Sequence, residues 1–468
     1  MEQIKQQTSM GKMNKKIVII GAGVAGINAA TTLVDKGYPG ELITIIDKGN
    51  DPFKRKPEEV MTGMLGAGGW SDGKLTYHTA IGGQLSKYCG EEKAMKLMKQ
   101  VVDNFTRFHP KPEEIFCSDP QEEPDFIKPH FGLRLFPVWH IGSNYLHEIA
   151  INWYNYLVDK GVRFEWNTEV TYIDFNNPHG YVLIEGFINQ GGGEKTHYMT
   201  TGDKLIFAVG KSGIDFAQKL SNDYHLPTEP KSVQIGVRFE APQKYFQKLI
   251  DISYDFKLYQ KFDNVSLRSF CTNNNAAYVA VEETYGDITY NGHAKKGEEF
   301  RNDMTNFGIL MEIKGIENPF EWSRKVVDEC NVGGTIPRFE NDGISNFNFR
   351  AGLYYSPNQT RKPSNTSEGN VVTCIELFSG LDKVRNAFGG YFEHIENFIN
   401  QMNEVFQFGD DWGMYIPEVK YLSPEPLVNY MDLSLVEHEN VYFVGDALSA
   451  RGITVSGAHG IYVAESLI

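Results

Sequence analysis

The chain of 468 residues carries a formal net charge of −15, with 41% hydrophobic and 22% charged residues. A chain of this length exceeds one small core and predicts two or three domains. Its acidity excludes a protein that coats nucleic acid through a net basic surface, and the short runs Lys54-Arg55-Lys56 and Lys295-Lys296 read as solvated loops.

In chain order, residues 1–16 are polar and lack the apolar centre of a leader peptide. No later stretch approaches the roughly twenty apolar residues of a membrane span, so the cytoplasm is the expected location, with no membrane partner. Ile17-Val18-Ile19-Ile20 is short, β-branched and wholly apolar, as a parallel strand buried on both faces must be. It runs into Gly21-Ala22-Gly23-Val24-Ala25-Gly26, then into an Ala/Leu-rich helix over 27–36 that Gly37 can cap. A second apolar run over 42–46 ends on Asp47, followed by Lys48. This spacing predicts a Rossmann-type unit in an α/β fold. Gly21 permits the tight turn, Gly23 lets the backbone approach a pyrophosphate, and Gly26 lets helix and strand pack closely. The helix N-terminus faces the phosphates, and Asp47 is placed to accept ribose hydroxyls, favouring FAD or NAD over NADP.

Gly66-Ala67-Gly68-Gly69-Trp70-Ser71-Asp72-Gly73-Lys74-Leu75-Thr76 is dense in glycine, so the backbone turns sharply or approaches a ligand there. His78 follows it. His78, His140 and Arg268 are candidate catalytic or anchoring residues. A histidine relays protons near neutral pH, and an arginine binds a carboxylate bidentately. The alternatives are structural histidines and a surface ion pair. Val162 to Val170 reads as strand and turn, 181–188 and 196–199 as a hairpin around Gly191-Gly192-Gly193, and Lys204 to Gly210 as a buried strand ending in Ala208-Val209-Gly210. Further strands are expected over 233–239, 277–282 and 306–313, and helices over 318–330 and 391–406, the first with Asn318 as N-cap and Pro319 inside it. Residues 110–137 and 356–370 read as surface connections. Near the C-terminus an apolar strand runs into Gly445-Asp446, and Arg451-Gly452-Ile453 opens a last helix.

The five cysteines (Cys89, Cys117, Cys271, Cys330, Cys374) form no CxxC pair, so neither a disulfide framework nor a metal site is expected. No second GxGxxG follows a strand. Both absences disfavour a pyridine-nucleotide:disulfide reductase.

The segments ending in Ala208-Val209-Gly210 and Gly445-Asp446 resemble elements of the glutathione-reductase-like NAD(P)/FAD-dependent oxidoreductase superfamily. In that superfamily such an Asp holds a ribityl hydroxyl, the following helix N-terminus faces the flavin ring, and a Val equivalent to Val170 holds the adenine through its backbone. The Gly66–Thr76 segment resembles the Gly-Gly-Ala-Gly-x-Phe-Ser-Asp-Gly-Lys-Leu signature of a mostly uncharacterised family of FAD-dependent dehydrogenases. The likeness continues through Gly236-Val237-Arg238-Phe239-Glu240, Ser269-Phe270-Cys271, Asn291-Gly292 and Thr305-Asn306. It departs at Trp70, usually Phe, and at Thr272-Asn273-Asn274-Asn275, where the family has a second Cys and a Pro-Gly-Gly; Ala447-Leu448-Ser449 also differs from the family's glycine-rich segment.

The resemblance implies FAD as cofactor, held by Gly21, Gly23, Val24, Ala25, Gly26, Asp47, Lys48, Gly68, Gly69, Ser71, Asp72, Gly73, Lys74, Val170, Ala208, Val209, Gly210, Gly445, Asp446, Arg451, Gly452 and Ile453. It implies a discontinuous FAD domain over 14–80, 140–232 and 435–468, with an α+β cap or substrate domain over 81–139 and 233–434. The expected function is hydride transfer between flavin and a small-molecule substrate with an amine or amino-acid-like group, NAD(P)H being a further candidate reductant. A modified nucleobase in RNA or DNA and a non-catalytic flavin scaffold are the alternatives.

Overall fold

The computed structural model describes residues 15–468 except 57–58, 60, 71–72, 120–121, 230–231, 276, 285–286, 295–300, 341–342, 359–375, 378–380 and 421–424. The chain divides into two compact units, Met1–Cys117 with Pro137–Pro230 and Ser423–Ile468, and Ser118–Phe136 with Lys231–Leu422.

The first unit is built on a six-stranded sheet. Its order is Ser434–Leu435, His438–Phe443, Lys204–Phe207, Ile17–Ile20, Ile43–Ile46, Arg163–Glu165, and all neighbours are parallel except the first pair. Ile17–Ile20 and Ile43–Ile46 are buried at every position, the signature of strands with both faces covered. The chain leaves the first strand towards Ile43–Ile46 on one side and returns with Lys204–Phe207 on the other. That reversal creates a crevice at the carboxyl ends of the strands, where doubly wound folds bind ligands. A three-stranded antiparallel meander (Thr168–Asp174, Val182–Gly191, Glu194–Gly202) is inserted between the parallel strands Arg163–Glu165 and Lys204–Phe207, the third and fourth of the sheet in chain order.

Residues 81–117, expected in the cap, instead fold with the first unit. The cause is the helix Glu91–Phe108, which buries Ala94, Leu97, Met98, Val101, Val102, Phe105 and Phe108 in the same core as the opening strand. Its Asn104 donates 2.7 Å to Asn28 on the first helix, a buried amide pair that fixes the docking. A sequence reader sees the apolar stripe but not its partner.

The terminal helix, Ile453–Leu467, packs against the first helix, Val24–Asp35, so tightly that a Cβ on Gly460 would fall inside the Ala25 carbonyl. This helix also buries His459, neither of whose ring nitrogens has a partner among the described residues. Burial pushes its pKa down to about 4. The folded chain therefore holds the ring neutral, while the unfolded chain protonates it below its ordinary value near 6.5. Stability contributed by the neutral ring is complete above that pH and falls by about 3 kcal/mol as pH drops to 4. We expect His459→Leu to remove that part of the slope. Across this window the unfolding free energy of wild type should fall relative to that of the variant; parallel slopes would refute the assignment.

The second unit is a sheet of eight strands ordered Glu376–Leu377, Leu353–Tyr355, Gly413–Lys420, Val233–Pro242, Met304–Ile313, Val265–Asn273, Lys257–Lys261, Gly132–Arg134. Val233, Ile235, Val237, Phe239 and Ala241 enter an apolar core shared with the helix Phe392–Phe406. The intervening side chains enter the opposite face. There Arg238, fully buried, pairs with Glu418 at 2.7 Å and donates to Asn291 Oδ1 and the Cys271 carbonyl. Such a pair is tolerated only where hydrogen bonds replace most of its lost hydration. Arg238, Asn291, Asn306, Asn273 and Cys271, scattered over about seventy residues, thus converge in one buried polar network. Asn318 precedes the helix Pro319–Cys330 as expected, but its side chain makes no capping hydrogen bond.

Candidate functional site

The carboxyl ends of the parallel strands open onto a cavity of about 630 Å³ whose lining residues all belong to the first unit. That size suits a cofactor site. The turn after the first strand sets its floor. Gly21 has φ +108°, and a Cβ there would collide with the Ala208 carbonyl. Gly23 has ordinary extended torsions, and a Cβ there would meet nothing within 4 Å, because that side is cavity. Gly26 lies behind the wall, where a Cβ would overlap the Gly21 carbonyl. The three glycines thus do three different jobs: turn, approach and packing.

Two helices begin at this cavity. Gly23, Val24 and Ala25 line it at the start of Val24–Asp35, and Gly452, Ile453 and Ser456 at the start of Ile453–Leu467. Neither helix has a side-chain cap or an acid in its first turn. Both therefore present first-turn N–H groups with no intrahelical acceptor and the positive ends of two dipoles. That combination attracts anionic groups.

Asp47 stands at the end of the second strand and lines the cavity, but its carboxylate already has work. It accepts 2.8 Å hydrogen bonds from the backbone N–H groups of Ala22, Gly49 and Gly63. A carboxylate has about four acceptor positions, so most of its capacity ties the glycine turn to the loop 61–68, and little is left for a ribose. Lys48 lines the same stretch and donates to the Ser212 carbonyl at 3.0 Å.

The loop 61–68 forms a further wall through Met61, Thr62, Leu65, Gly66, Ala67 and Gly68. Leu65, with φ +63°, donates its N–H to the Ala22 carbonyl at 2.8 Å. Arg55 holds the loop from behind. Its guanidinium donates to the carbonyls of Glu59 (3.0 and 3.1 Å), Met64 (2.5 Å) and Gly66 (2.7 Å). Burial pulls its pKa down to about 10, against the attraction of Asp47 and Glu59. The expectation of a solvated Lys54-Arg55-Lys56 loop is therefore wrong for Arg55, though right for the exposed Lys54 and Lys56.

At the other end the cavity is lined by Gly445, Asp446, Arg451 and Lys211. Desolvation pushes the Asp446 carboxyl above the usual range, while Arg451, 3.1 Å away, and Lys211 pull it back. Thr168, Glu169 and Val170 line the cavity beside Asp47 and Lys48, and Ala208, Val209 and Gly210 beside Gly21.

The remaining candidates lie elsewhere. Gly69 packs against Arg55 and the Met64 carbonyl, the Gly73 carbonyl accepts the Ile141 N–H at 2.9 Å, and Lys74 pairs with His140 in a small sheet. None of the three lines the cavity. Ser71 and Asp72 lie outside the described residues. His78 accepts the Ala80 N–H at 3.0 Å within its own turn, and the His140 ring stacks on Phe116 at 4.6 Å; neither lines the cavity. Arg268 stands in the second unit. Sequence reasoning missed Arg55, Leu65, Lys211 and Ser456. Leu65 and Lys211 adjoin glycines of recognised segments, but nothing local marks Arg55. Among the described residues no cluster of three or more His, Cys, Asp or Glu could hold a metal, and no helix is long and apolar enough to cross a membrane.

No family model matches the chain, and no curated protein matches it. Among solved structures it is similar to CmlS, a flavin-dependent halogenase, with TM-score 0.38 and 11% identity over 97% of this chain and 56% of that one. It is similar to a flavoprotein/dehydrogenase from Cytophaga hutchinsonii, with TM-score 0.40 and 11% identity over 97% and 77%. For the halogenase PltM the values are 0.39 and 12%, over 97% and 68%. The chain thus spans little more than half the length of CmlS. Likenesses of this degree leave cofactor and reaction to the geometry of the cavity.

Proposed function

We propose that this chain is an FAD-dependent oxidoreductase acting on a small molecule with an amine or amino-acid-like group. The observation that carries the reading is the convergence of two helix N-termini, from opposite ends of the sequence, on one cavity at the switch point of a parallel sheet. One positive helix end suits a pyrophosphate. A second, beside Asp446, suits a ring edge that gains negative charge on reduction.

The residues present fit the group. Gly23 leaves its side of the cavity open, and Val24 and Ala25 would hold the pyrophosphate through backbone N–H groups. Lys48 and Val170 would flank the adenosine, with Asp47 holding the turn and loop in place more than the ribose. Asp446, Gly452 and Ile453 would hold the far end. Bound FAD supplies the hydride acceptor or donor, which side chains alone cannot. The protein's part is to place it, to exclude water, and to bias its charge through the terminal helix.

The test is direct. Purified protein should be yellow, or become so on reconstitution with FAD, and the flavin should bleach anaerobically with NADH, NADPH or an amine or amino-acid panel. Bleaching by an amine or amino acid supports the proposed substrate class; bleaching by NAD(P)H alone would mark a reductase instead. Folded protein that stays colourless after reconstitution would overturn the reading.

A further inference from the structure

The polar face of the second unit's sheet carries a cationic patch beyond the buried Arg238 network. Gln234 stands opposite Glu312 on one neighbouring strand and Lys420 on the other. Arg268 stands opposite Leu310 and Tyr259. The Tyr259 ring lies over Gly132, where any Cβ would collide with it, and the Arg134 guanidinium sits 4.9 Å from the ring centre. On the other side the Lys420 ammonium lies 3.3 Å from the centre of the Phe270 ring. Gln234, Tyr259, Arg268, Phe270, Glu312 and Lys420 are all half-buried, and Arg134 is exposed, so solvent reaches the patch.

Arg268 is under-used. Among the described residues its guanidinium makes one hydrogen bond, at the 3.5 Å limit, to Gln234 Oε1, and no carboxylate lies within 4 Å of it. Glu312 attracts it from further off and already accepts 2.8 Å from the Ser232 hydroxyl. Burial is the main penalty on its charge, and repulsion from Arg134 adds to it. A guanidinium has five donors in a fixed fork, and two such groups set near each other favour a shared anion. Such a site in a chain of net charge −15 is a local feature, too small for a polyanion track.

We propose that Arg268 and Arg134, with Tyr259 as an aromatic wall between them, bind the oxyanion of a small planar substrate, a carboxylate or a phosphate monoester. This deepens the oxidoreductase reading and rests on it for the word substrate; the binding site itself stands on the geometry of the second unit alone. Arg268 takes the anion through paired N–H groups, and Arg134 supplies the second charge from the rim.

Benzoate, phenyl phosphate and uncharged benzamide serve as probes, titrated by calorimetry into flavin-loaded and flavin-stripped protein. At least one anion should bind and benzamide should not; benzoate alone identifies a carboxylate site, phenyl phosphate alone a phosphate site. Arg268→Gln should weaken the binding about tenfold or more, and Arg134→Gln severalfold, with FAD uptake unchanged in both. Failure of both anions to bind, equal binding of benzamide, or undiminished binding by Arg268→Gln would overturn the proposal. If that variant does not fold, undiminished binding by the exposed Arg134→Gln does the same. Tight binding of a short single-stranded RNA that survives Arg268→Gln would place the anion surface elsewhere and also overturn it. Anion binding by protein that takes up no FAD would leave this site standing and remove the oxidoreductase reading.

Discussion

Gly26→Ala and Gly23→Ala should fail in opposite ways. The first is expected to destabilise the fold by about 3 kcal/mol, at the upper end for overpacking, because the new Cβ meets backbone and not a side chain that can turn away. Its obstacle is the Gly21 carbonyl, itself locked in a turn with φ +108°. Relief requires the first helix to lift from the strand, which also spoils the cavity floor. Gly23→Ala adds the same methyl three residues earlier, at φ −68° and ψ 177°, where alanine is unstrained and no protein atom lies within 4 Å. Its stability should stay within about 0.5 kcal/mol of wild type, while FAD affinity falls at least tenfold because the methyl occupies the pyrophosphate's approach. Denaturant unfolding of the flavin-free protein and a fluorescence titration with FAD separate the two. Full FAD affinity in Gly23→Ala would mean that the phosphates do not sit there.

Arg55→Ala should produce the second large effect. Four hydrogen bonds from one guanidinium bind three carbonyls of the segment 59–66. Losing them leaves carbonyl oxygens without a donor, at about 1–3 kcal/mol for each that water cannot reach, so a loss of about 3 kcal/mol is expected. The loop also walls the cavity, so FAD affinity should fall with it. Arg55→Lys should recover little, since an ammonium cannot span carbonyls that a planar fork reaches together. Limited proteolysis within 56–66 and the same FAD titration provide the readout. A variant as resistant and as tight-binding as wild type would show that the loop is held by other means, such as the Asp47–Gly63 contact.

These two experiments mark where the sequence was legible. The glycine run was readable because its causes are local: each glycine's role follows from the strand before it and the helix after it. Gly445-Asp446 was read through its resemblance to a known element, and the strands 233–239 and 306–313 from their apolar runs in the chain itself. Asp47 was recognised as a site residue, but its partners were not. Two of its three hydrogen-bond donors come from other segments, Ala22 and Gly63, that only folding brings to it.

Arg55 was read wrongly because three adjacent cations look alike in sequence, and burial of the middle one depends on where carbonyls 59–66 curl back. The docking of Glu91–Phe108 on the first unit and the cationic patch around Arg268 share this character. An amphipathic stripe or a strand arginine states what kind of partner it needs, not which one it meets. For this protein the sequence by itself determined the local grammar: a parallel sheet opened by Gly21–Gly26 and closed by Gly445-Asp446. The tertiary structure alone decided which distant backbone groups Asp47 and Arg55 hold, and which anion-seeking side chains stand together, because those contacts join residues whose separation along the chain carries no signal of their meeting.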